Sequence, residues 1–399
     1  MRLVHFSDLH LGFHRYQRST ANGMNQREAD VAQAFTRAID MTIALAPNLV
    51  LVAGDIFHRV RPPNQAILKA YREFARLTES LPETKVVMIA GNHDTPRSSD
   101  TVSILTLFSP LGIRVVHRGP EWVPLPELDA GVLAVPGIPQ MAKPMLAPGS
   151  ATRWNILLLH GVLPELQGPG DEIEDRALNV YTRSEILSDA WQYIALGDYH
   201  VYQQVGPNAY YSGSIEYTSL NPWADVREEA KRKLPGKRII EHDLATGRHK
   251  AHSIAAARPM VDLPRIDGRG MAAPSLNTAI AETVARSRTP IDNAIVRLVV
   301  DNVPNHVERE LDHAARREYG KRALHFQLDL RRPDAIRLTT SRSGSPGRRP
   351  TLADLVRDRL QARPLEADVD RGALVELGLR YLVQSEDAVV PAGLDEGES

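Results

Sequence analysis

Polar blocks rich in Asp, Asn and His follow five short apolar runs in the first half of the chain. The apolar runs lie at 3–6, 49–52, 86–89, 156–159 and 193–196. The blocks after them read Asp-Leu-His, Gly-Asp-Ile-Phe-His, Gly-Asn-His-Asp, His-Gly and Gly-Asp-Tyr-His, at 8–10, 54–58, 91–94, 160–161 and 197–200. Apolar runs of this length are typical of buried strands. Because the carboxyl ends of neighbouring strands meet at one edge of an open α/β sheet, we expect the blocks to converge there.

The blocks supply the ligand types that a pair of divalent cations needs. A shared carboxylate offsets the repulsion between two cations, and Asp55 is our candidate for that bridge. The other predicted ligands are Asp8, His10 and His200 at one ion and Asn92, His160 and Asp198 at the other. Mixed carboxylate, imidazole and amide ligands favour Mn²⁺ or Fe²⁺ over a metal that prefers thiolates, and the chain has no cysteine. The pattern predicts metal-assisted hydrolysis of a phosphoester.

Three further residues are candidates for catalytic roles. His93 directly follows the predicted ligand Asn92, so it can reach the scissile phosphate and protonate the leaving oxygen or stabilise its charge. We expect Asp94 to orient the His93 ring. His58 is either a group that contacts a metal ligand or the substrate, or an exposed residue at a helix start, and the sequence leaves both open. Each block alone has a structural interpretation, as a turn or a core histidine, and only their joint order favours a metal site.

The length of 399 residues predicts more than one domain. Buried strands alternate with amphipathic helices over 1–257, which indicates a layered α/β sandwich with helices at 27–44 and 64–77. A stretch rich in Pro and Gly at 258–274 predicts a linker. A helix, a strand, a second helix over 306–319 and a second strand then follow within 275–338, and they predict a small α+β capping domain.

A second predicted linker, at 341–350, precedes two helical patterns within 351–384. Their apolar faces indicate either a segment that binds a partner or helices that pack back on the parent domain.

The formal net charge of −1 excludes a basic field over the whole chain. Any contact with nucleic acid must therefore come from local basic clusters. The segment with Lys231, Arg232 and Lys233, followed by Lys237 and Arg238, is either such a phosphate-contacting cluster or a solvated connector between a helix and a strand. The chain starts directly in a predicted strand and contains no apolar stretch long enough for a bilayer. We expect a cytoplasmic protein with no membrane association.

The order of the five blocks resembles that of the calcineurin-like metallophosphoesterases. Within that family, three segments are similar to the double-strand-break repair nucleases, the SbcD-like subunits. They are His-Phe-Ser-Asp-Leu-His-Leu-Gly at 5–12, the second block followed by Pro62, and Tyr-Ser-Gly-Ser-Ile-Glu at 211–216. The resemblance covers the first domain well and the rest of the chain weakly.

The resemblance implies a Mn²⁺-dependent DNA nuclease with 3′-to-5′ exonuclease activity on double strands and endonuclease activity on single strands. It also implies a homodimer within a heterotetramer, bound to an SMC-type ATPase like SbcC and associated with the nucleoid. In that branch a histidine at the place of His58 lies near the DNA backbone, and the helices within 351–384 bind the partner.

One position departs from the family. The last block usually reads Gly-His-x-His, whereas Asp198 stands here at the first histidine. Aspartate still binds a hard cation through oxygen, so we keep it as a predicted ligand that favours Mn²⁺ or Mg²⁺ over softer ions.

Two other functions are compatible with the five polar blocks. The first is a phosphodiesterase or phosphatase acting on small nucleotides or phosphoproteins, for which a capping domain and partner helices are superfluous. The second is a scaffold that has lost activity through its altered second metal site.

Overall fold

The apolar runs that precede the polar blocks form central strands in a computed structural model of the chain. The structure describes residues 1–96, 103–139, 141–150, 152–166, 180–333, 352–363 and 370–387. They fall into two units, Met1–Asp334 and Ala335–Ser399. The predicted linker at 341–350 lies outside the described residues.

The strands of the described residues follow one another in this chain order: β1 (Arg2–Phe6), β2 (Leu49–Ala53), β3 (Lys85–Ile89), β4 (Arg114–Val116), β5 (Glu121–Leu125), β6 (Ala130–Val135), β7 (Trp154–His160), β8 (Tyr193–Gly197), β9 (Gln203–Gly206), β10 (Ala209–Tyr211), β11 (Arg238–Asp243), β12 (His249–Ser253), β13 (Met260–Asp262), β14 (Ile266–Asp267), β15 (Ile295–Asp301) and β16 (His325–Leu330). The α-helices are α1 (Gln26–Leu45), α2 (Asn64–Ser80), α3 (Arg183–Ile186), α4 (Pro222–Lys231), α5 (Ala273–Ala285), α6 (Asn305–Arg309), α7 (His313–Arg322), α8 (Leu352–Ala362) and α9 (Arg371–Asp387). Short 3-10 helices cover Ile104–Leu111, Pro126–Leu128 and Pro164–Leu166.

Two six-stranded sheets form the sandwich of the first unit. One has the strand order β12-β11-β1-β2-β3-β4, and the other has the order β5-β6-β7-β8-β10-β9. In the first sheet β1 to β4 are parallel, and the hairpin of β11 and β12 joins them antiparallel. In the second, β6, β7, β8 and β10 are parallel. The carboxyl ends of the parallel strands therefore meet at a common edge in each sheet.

Both faces of β1, β2 and β3 are buried, and this explains why these three strands are nearly continuous apolar runs. In β2, Leu49 and Leu51 belong to the apolar layer between the sheets, while Val50 and Val52 belong to the layer beneath α1 and α2. Phe35 of α1 is fully buried in that second layer, and burial of such a side chain stabilises the fold by about 1.5–3 kcal/mol. The predicted layered α/β sandwich is confirmed.

The ends of α1 follow from local chemistry. The Asn25 side chain accepts a hydrogen bond from the Arg27 amide at the first turn, and Ala46 ends the helix in a left-handed conformation. The helices predicted at 27–44 and 64–77 correspond to α1 and α2, with differences at the ends only.

A smaller parallel sheet follows, in which β15 pairs with β13 and β14 on one side and with β16 on the other. Its apolar face is covered in part by α5, whose Leu276 is fully buried. Two predictions were wrong here. The linker at 258–274 contains β13 and β14, because Val261 and Ile266 are buried in this core. The helix expected over 306–319 is divided into α6 and α7, since Asp312 caps a new helix at the Ala314 amide.

The domain boundaries 1–257, 275–338 and 351–384 stay a prediction, and residues 334–338 lie outside the described part.

In the second unit α8 and α9 occupy the positions of the two predicted helical patterns. Leu352, Leu355, Leu377 and Tyr381 are exposed. Among the described helices, none is both long enough and apolar enough to cross a bilayer.

Candidate metal centre

The loops that follow β1, β2, β3, β7 and β8 meet at one edge of the two sheets. Backbone hydrogen bonds join the first two loops, from the Asp8 amide to Gly54 O and from the His10 amide to Asp55 O, each at 3.0 Å. The Gly161 amide donates to Gly197 O in the same way across the second sheet. Backbone pairing therefore brings together side chains that lie far apart in sequence.

Four of the predicted ligands have a left-handed backbone conformation, which is uncommon for residues other than glycine. Their φ angles are 52° for Asp8, 45° for His10, 53° for Asp55 and 97° for Asp198. Such conformations cost on the order of 1–3 kcal/mol each and cluster at functional sites. The sharp turns make the chain leave each strand abruptly.

Asp55 occupies the middle of the arrangement. Its Oδ2 lies 3.7 Å from His10 Nε2 and 3.6 Å from His160 Nε2, so one carboxylate oxygen lies between two imidazoles. Its other oxygen, Oδ1, accepts a hydrogen bond from the His93 amide at 3.0 Å. This position is the one that a bridging carboxylate requires.

The other predicted ligands lie around Asp55 in two groups. Donor atoms of Asp8, His10 and His200 lie within 4.8 Å of one another, as do those of Asp8, Asp55 and His160. His10 Nε2 and His200 Nε2 are 3.0 Å apart. On the other side, His160 Nε2 lies 3.0 Å from Asn92 Oδ1 and 3.7 Å from Asp198 Oδ1. All seven predicted ligands thus meet at one site.

The backbone fixes the orientation of His160. Its Nδ1 donates to Ala53 O at 2.8 Å, so Nε2 faces the carboxylates. Gly54, with φ +88°, passes so close that an added Cβ would lie 2.4 Å from His160 Nδ1. Any larger residue at 54 would displace the ring.

The electrostatics of the site favour positive charge between the carboxylates. Burial raises the pKa of Asp8, the charge of His160 opposes this, and the charges of Asp55 and Asp198 add to the rise. Burial lowers the pKa of His160, but the charges of Asp55, Asp198 and Asp8 outweigh it and raise that pKa to about 9. Burial and neighbouring imidazoles hold the pKa of His10 well below its usual range. Buried carboxylates beside the neutral imidazole of His10 are a donor set that fits divalent cations.

Three histidines lie together at the rim of the site, and donor atoms of His10, His58 and His93 also lie within 4.8 Å of one another. The rings of His58 and His93 stack with centroids 5.4 Å apart. Burial lowers the pKa of His93, yet the Asp55 charge, the His58 carbonyl and Asp94 together raise it. Burial and the charge of His93 lower the pKa of His58 to about 4.

The role expected for Asp94 was wrong. His93 Nδ1 donates to His58 O at 2.9 Å, so a backbone carbonyl orients the ring. The Asp94 carboxylate instead accepts hydrogen bonds from the amides of Ile56, Phe57 and Gly91 at 2.9–3.0 Å. Asp94 thereby joins the loops after β2 and β3, because three backbone donors occupy its oxygens.

The sequence interpretation missed several residues that support the site. Ser7 donates to the Asp8 carboxylate, and Ser219 contacts His200. Lys237, which belongs to the basic segment at 231–238, is neither solvated nor facing nucleic acid, because it is buried and contacts Asp225 and the His200 carbonyl. Its position between Gly236 and Arg238 carries no local signal of burial, so only the fold reveals it.

Residues 1–223, more than half of the 399-residue chain, match the family described as calcineurin-like phosphoesterase. The chain therefore belongs to this family.

The chain is also similar to archaeal proteins named DNA double-strand break repair protein Mre11. Identity with the Methanocaldococcus jannaschii protein is 36% over 107 residues, 27% of each chain. For Sulfurisphaera tokodaii it is 28% over 208 residues, 50% of this chain and 49% of the relative. For Methanopyrus kandleri it is 26% over 264 residues, 61% and 54%. The similarity covers only part of these relatives, and it confirms the predicted likeness to the double-strand-break repair branch.

Proposed function

We propose that this protein is a metal-dependent DNA nuclease that processes the ends of double-strand breaks. The activities we assign are 3′-to-5′ exonuclease on double strands and endonuclease on single strands. The observation that carries the proposal is the Asp55 carboxylate oxygen between His10 and His160, at 3.7 and 3.6 Å, with the other predicted ligands around it. The name of the relatives, DNA double-strand break repair protein, supplies the substrate class.

The chain's residues would hold two divalent ions, which we take to be Mn²⁺. Asp8, His10 and His200 form one side, Asn92, His160 and Asp198 form the other, and Asp55 serves both. When bound, the ions supply Lewis acidity toward the phosphodiester and lower the pKa of a water. The protein contributes the geometry, because Ala53 O orients His160 and backbone pairing orients the loops.

His93 is the group we assign to the leaving oxygen. Its Nδ1 is engaged by the His58 carbonyl, so Nε2 is the ring atom available to a substrate. From there it would donate a proton to the leaving oxygen or stabilise its charge. His58 stacks on His93, and we place it beside the DNA backbone.

We further propose that α8 and α9 bind an SMC-type ATPase like SbcC, in a heterotetramer built on a homodimer of this chain and located in the cytoplasm at the nucleoid. The exposed apolar residues Leu355 and Tyr381 support a partner surface. A double variant Leu355→Glu and Tyr381→Glu should lose the ATPase in co-purification and keep hydrolysis of a chromogenic phosphodiester. Undiminished co-purification would refute this assignment.

The test of the proposed activity uses purified full chain stripped with a chelator. End-labelled duplex DNA, circular single-stranded DNA and bis-p-nitrophenyl phosphate are each incubated with Mn²⁺, Mg²⁺ or Zn²⁺. We expect cleavage of both DNAs with Mn²⁺, none with chelator, and shortening of the duplex from its 3′ ends. His93→Ala should slow cleavage by about 10²–10⁴-fold, the usual contribution of a general acid.

The control is His306→Ala, which changes an exposed histidine far along the chain from the five blocks and should cleave at the wild-type rate. Hydrolysis of the chromogenic ester with intact DNA would replace the nuclease by the alternative, an esterase for small nucleotides or phosphoproteins. Full cleavage by His93→Ala would remove our role for that residue.

A further inference from the structure

His200 is held at two points by side chains, unlike His160, whose ring is held by the backbone. Its Nδ1 lies 3.0 Å from Ser219 Oγ. Its carbonyl accepts a hydrogen bond from Lys237 Nζ at 2.9 Å. Both the ring and the main chain of this predicted ligand therefore depend on residues outside the five polar blocks.

The contacts of Ser219 continue into a buried charged group. Ser219 Oγ donates to Asp225 Oδ2 at 2.7 Å, and the same oxygen accepts from Lys237 Nζ at 3.0 Å. Lys237 also pairs with Glu229 Oε1 at 3.2 Å. Lys237, Asp225 and Glu229 are 5%, 8% and 3% exposed. A lysine buried to this degree requires compensating carboxylates, so the three residues form one unit.

The direction of each hydrogen bond from Lys237 through Asp225 and Ser219 to His200 is determined by which groups can donate. An ionised carboxylate only accepts and an ammonium only donates. Ser219 must therefore give its hydroxyl hydrogen to Asp225, and its oxygen is left to accept from His200. His200 must then carry its proton on Nδ1, which leaves Nε2 unprotonated. That Nε2 is the atom 3.0 Å from His10 Nε2, at the predicted ion.

We infer that Ser219, Asp225 and Lys237 form a positioning relay that keeps His200 in the tautomer whose Nε2 can bind metal. The inference rests on the proposed metal site. The relay touches no substrate and acts only through His200. Without it the His200 ring would be able to carry its proton on either nitrogen, and its carbonyl would lose the Lys237 contact.

The relay also connects α4 to the metal site. Asp225 lies on α4, and Trp223 of the same helix donates to Gln327 Oε1 of β16 at 3.0 Å. The guanidinium of Arg297, on β15, lies 4.8 Å from the Trp223 ring centroid. Helix α4, which carries Asp225 of the relay, is thus held in place by contacts of its Trp223 with the small parallel sheet.

The first measurement is the tautomer of His200 in the metal-free full chain, by long-range ¹H–¹⁵N NMR of histidine side chains, assigned with a His200→Gln variant. We expect the Nδ1–H form in the wild type. In Ser219→Ala we expect a mixture of the two forms, and Ser219→Thr, which keeps the hydroxyl, should restore the Nδ1–H form. An Nε2–H tautomer in the wild type would overturn the inference, whatever the variants do.

The second measurement is Mn²⁺ binding to the same proteins, by titration calorimetry and electron paramagnetic resonance. Ser219→Ala should weaken one of two Mn²⁺ sites by about 10–100-fold, as expected for loss of a hydrogen-bond partner of a ligand. Asp225→Leu should do the same. Glu228→Gln is the matched control, because Glu228 lies on the same helix and pairs with Lys231 and Arg232 instead.

The two measurements separate failure of the relay from failure of the proposed function. A wild type that binds no Mn²⁺ at all would refute the metal site, while the tautomer still reports on the relay. Equal Mn²⁺ affinity in wild type, Ser219→Ala and Asp225→Leu would overturn the positioning role. Thermal unfolding identifies any variant that fails to fold, and Ser219→Thr together with the wild-type tautomer keeps the inference testable in that event.

Discussion

Two buried histidines of this protein, His160 and His5, have opposite electrostatic environments. The metal-site cluster contains His160 with the carboxylates of Asp8, Asp55 and Asp198. The His–Tyr cluster, which lies on the inner faces of the sandwich, contains His5, His242, His249, Tyr193, Tyr202 and Tyr210. In the second cluster His5 Nδ1 lies 3.2 Å from the Tyr193 hydroxyl, and His249 Nε2 lies 3.0 Å from the Tyr202 hydroxyl.

Burial is the same for His5 and His160, but their pKa values move in opposite directions. Burial lowers the pKa of His5 to about 3. At His160 burial also acts to lower the pKa, but three carboxylates raise it to about 9. The difference shows that carboxylates, and not the depth of the histidine, make a site that favours a cation.

The largest effect should come from Asp55→Asn, which neutralises the carboxylate shared by His10 and His160. We expect Mn²⁺-supported cleavage to fall by at least ~10³-fold, about 4 kcal/mol of transition-state stabilisation. Calorimetry should find fewer bound ions. Asp40→Asn, on the exposed side of α1 where Asp40 pairs with Arg76, is the control and should be unaffected. Cleavage within a few fold of wild type would contradict a bridging role.

Gly54→Ala tests how strictly the backbone fixes His160. Ala at φ +88° is strained, and its Cβ would also meet the His160 ring at 2.4 Å. The matched control is Gly112→Ala, which has φ +81° but nothing within 4 Å of the added Cβ. We expect the control to lose about 1–2 kcal/mol of unfolding free energy through φ alone. Gly54→Ala should lose at least about 1 kcal/mol more through the clash, measured by urea unfolding. Equal losses would show that the ring yields easily.

Asp198→His replaces a carboxylate with an imidazole, and it thereby makes the metal-site cluster more like the His–Tyr cluster. The substitution also gives the last block the Gly-His-x-His order that the family resemblance implies. Because imidazole suits softer ions than carboxylate does, we expect the preference for Mn²⁺ over Zn²⁺ to fall by about tenfold, or about 1.4 kcal/mol. Competition titrations measure this ratio directly. An unchanged ratio would indicate that Asp198 does not contact the ion.

The smallest expected effect is on the pH dependence of the unfolding free energy, through His249 of the His–Tyr cluster. Burial and the charge of His242 lower the pKa of His249 from 6.5 to about 4. Between these values the unfolded chain binds more protons than the folded one, so unfolding free energy is lost as the pH falls from about 6.5 towards 4. His249→Gln removes this contribution. Urea unfolding from neutral pH to about pH 5 should show a smaller loss of stability in the variant, and parallel curves would contradict the assignment.

Much of the fold and of the candidate site was predictable from local sequence. The runs before the five blocks are β1, β2, β3, β7 and β8. Other elements were misjudged because their partners are distant. β13 looked like a linker, since its three residues are stabilised by pairing with β15, more than thirty positions on.

The choice of candidate ligand residues depends only on the chemistry of individual residues and their place in the sequence. Asp, Asn and His at strand ends have the donor atoms a hard cation needs, and the periodicity of apolar residues places those strand ends. Neither depends on knowing which segment lies opposite. The layered architecture and the seven candidate ligands are therefore predictable from the sequence alone.

The tertiary structure alone decided how those residues are supported. In the folded protein the His58 carbonyl orients the His93 ring, and Asp94 joins the loops after β2 and β3. It also buried Lys237 between Asp225 and the His200 carbonyl. A hydrogen bond depends on distance and direction between atoms that sequence separates, so these roles exist only once the strands have paired.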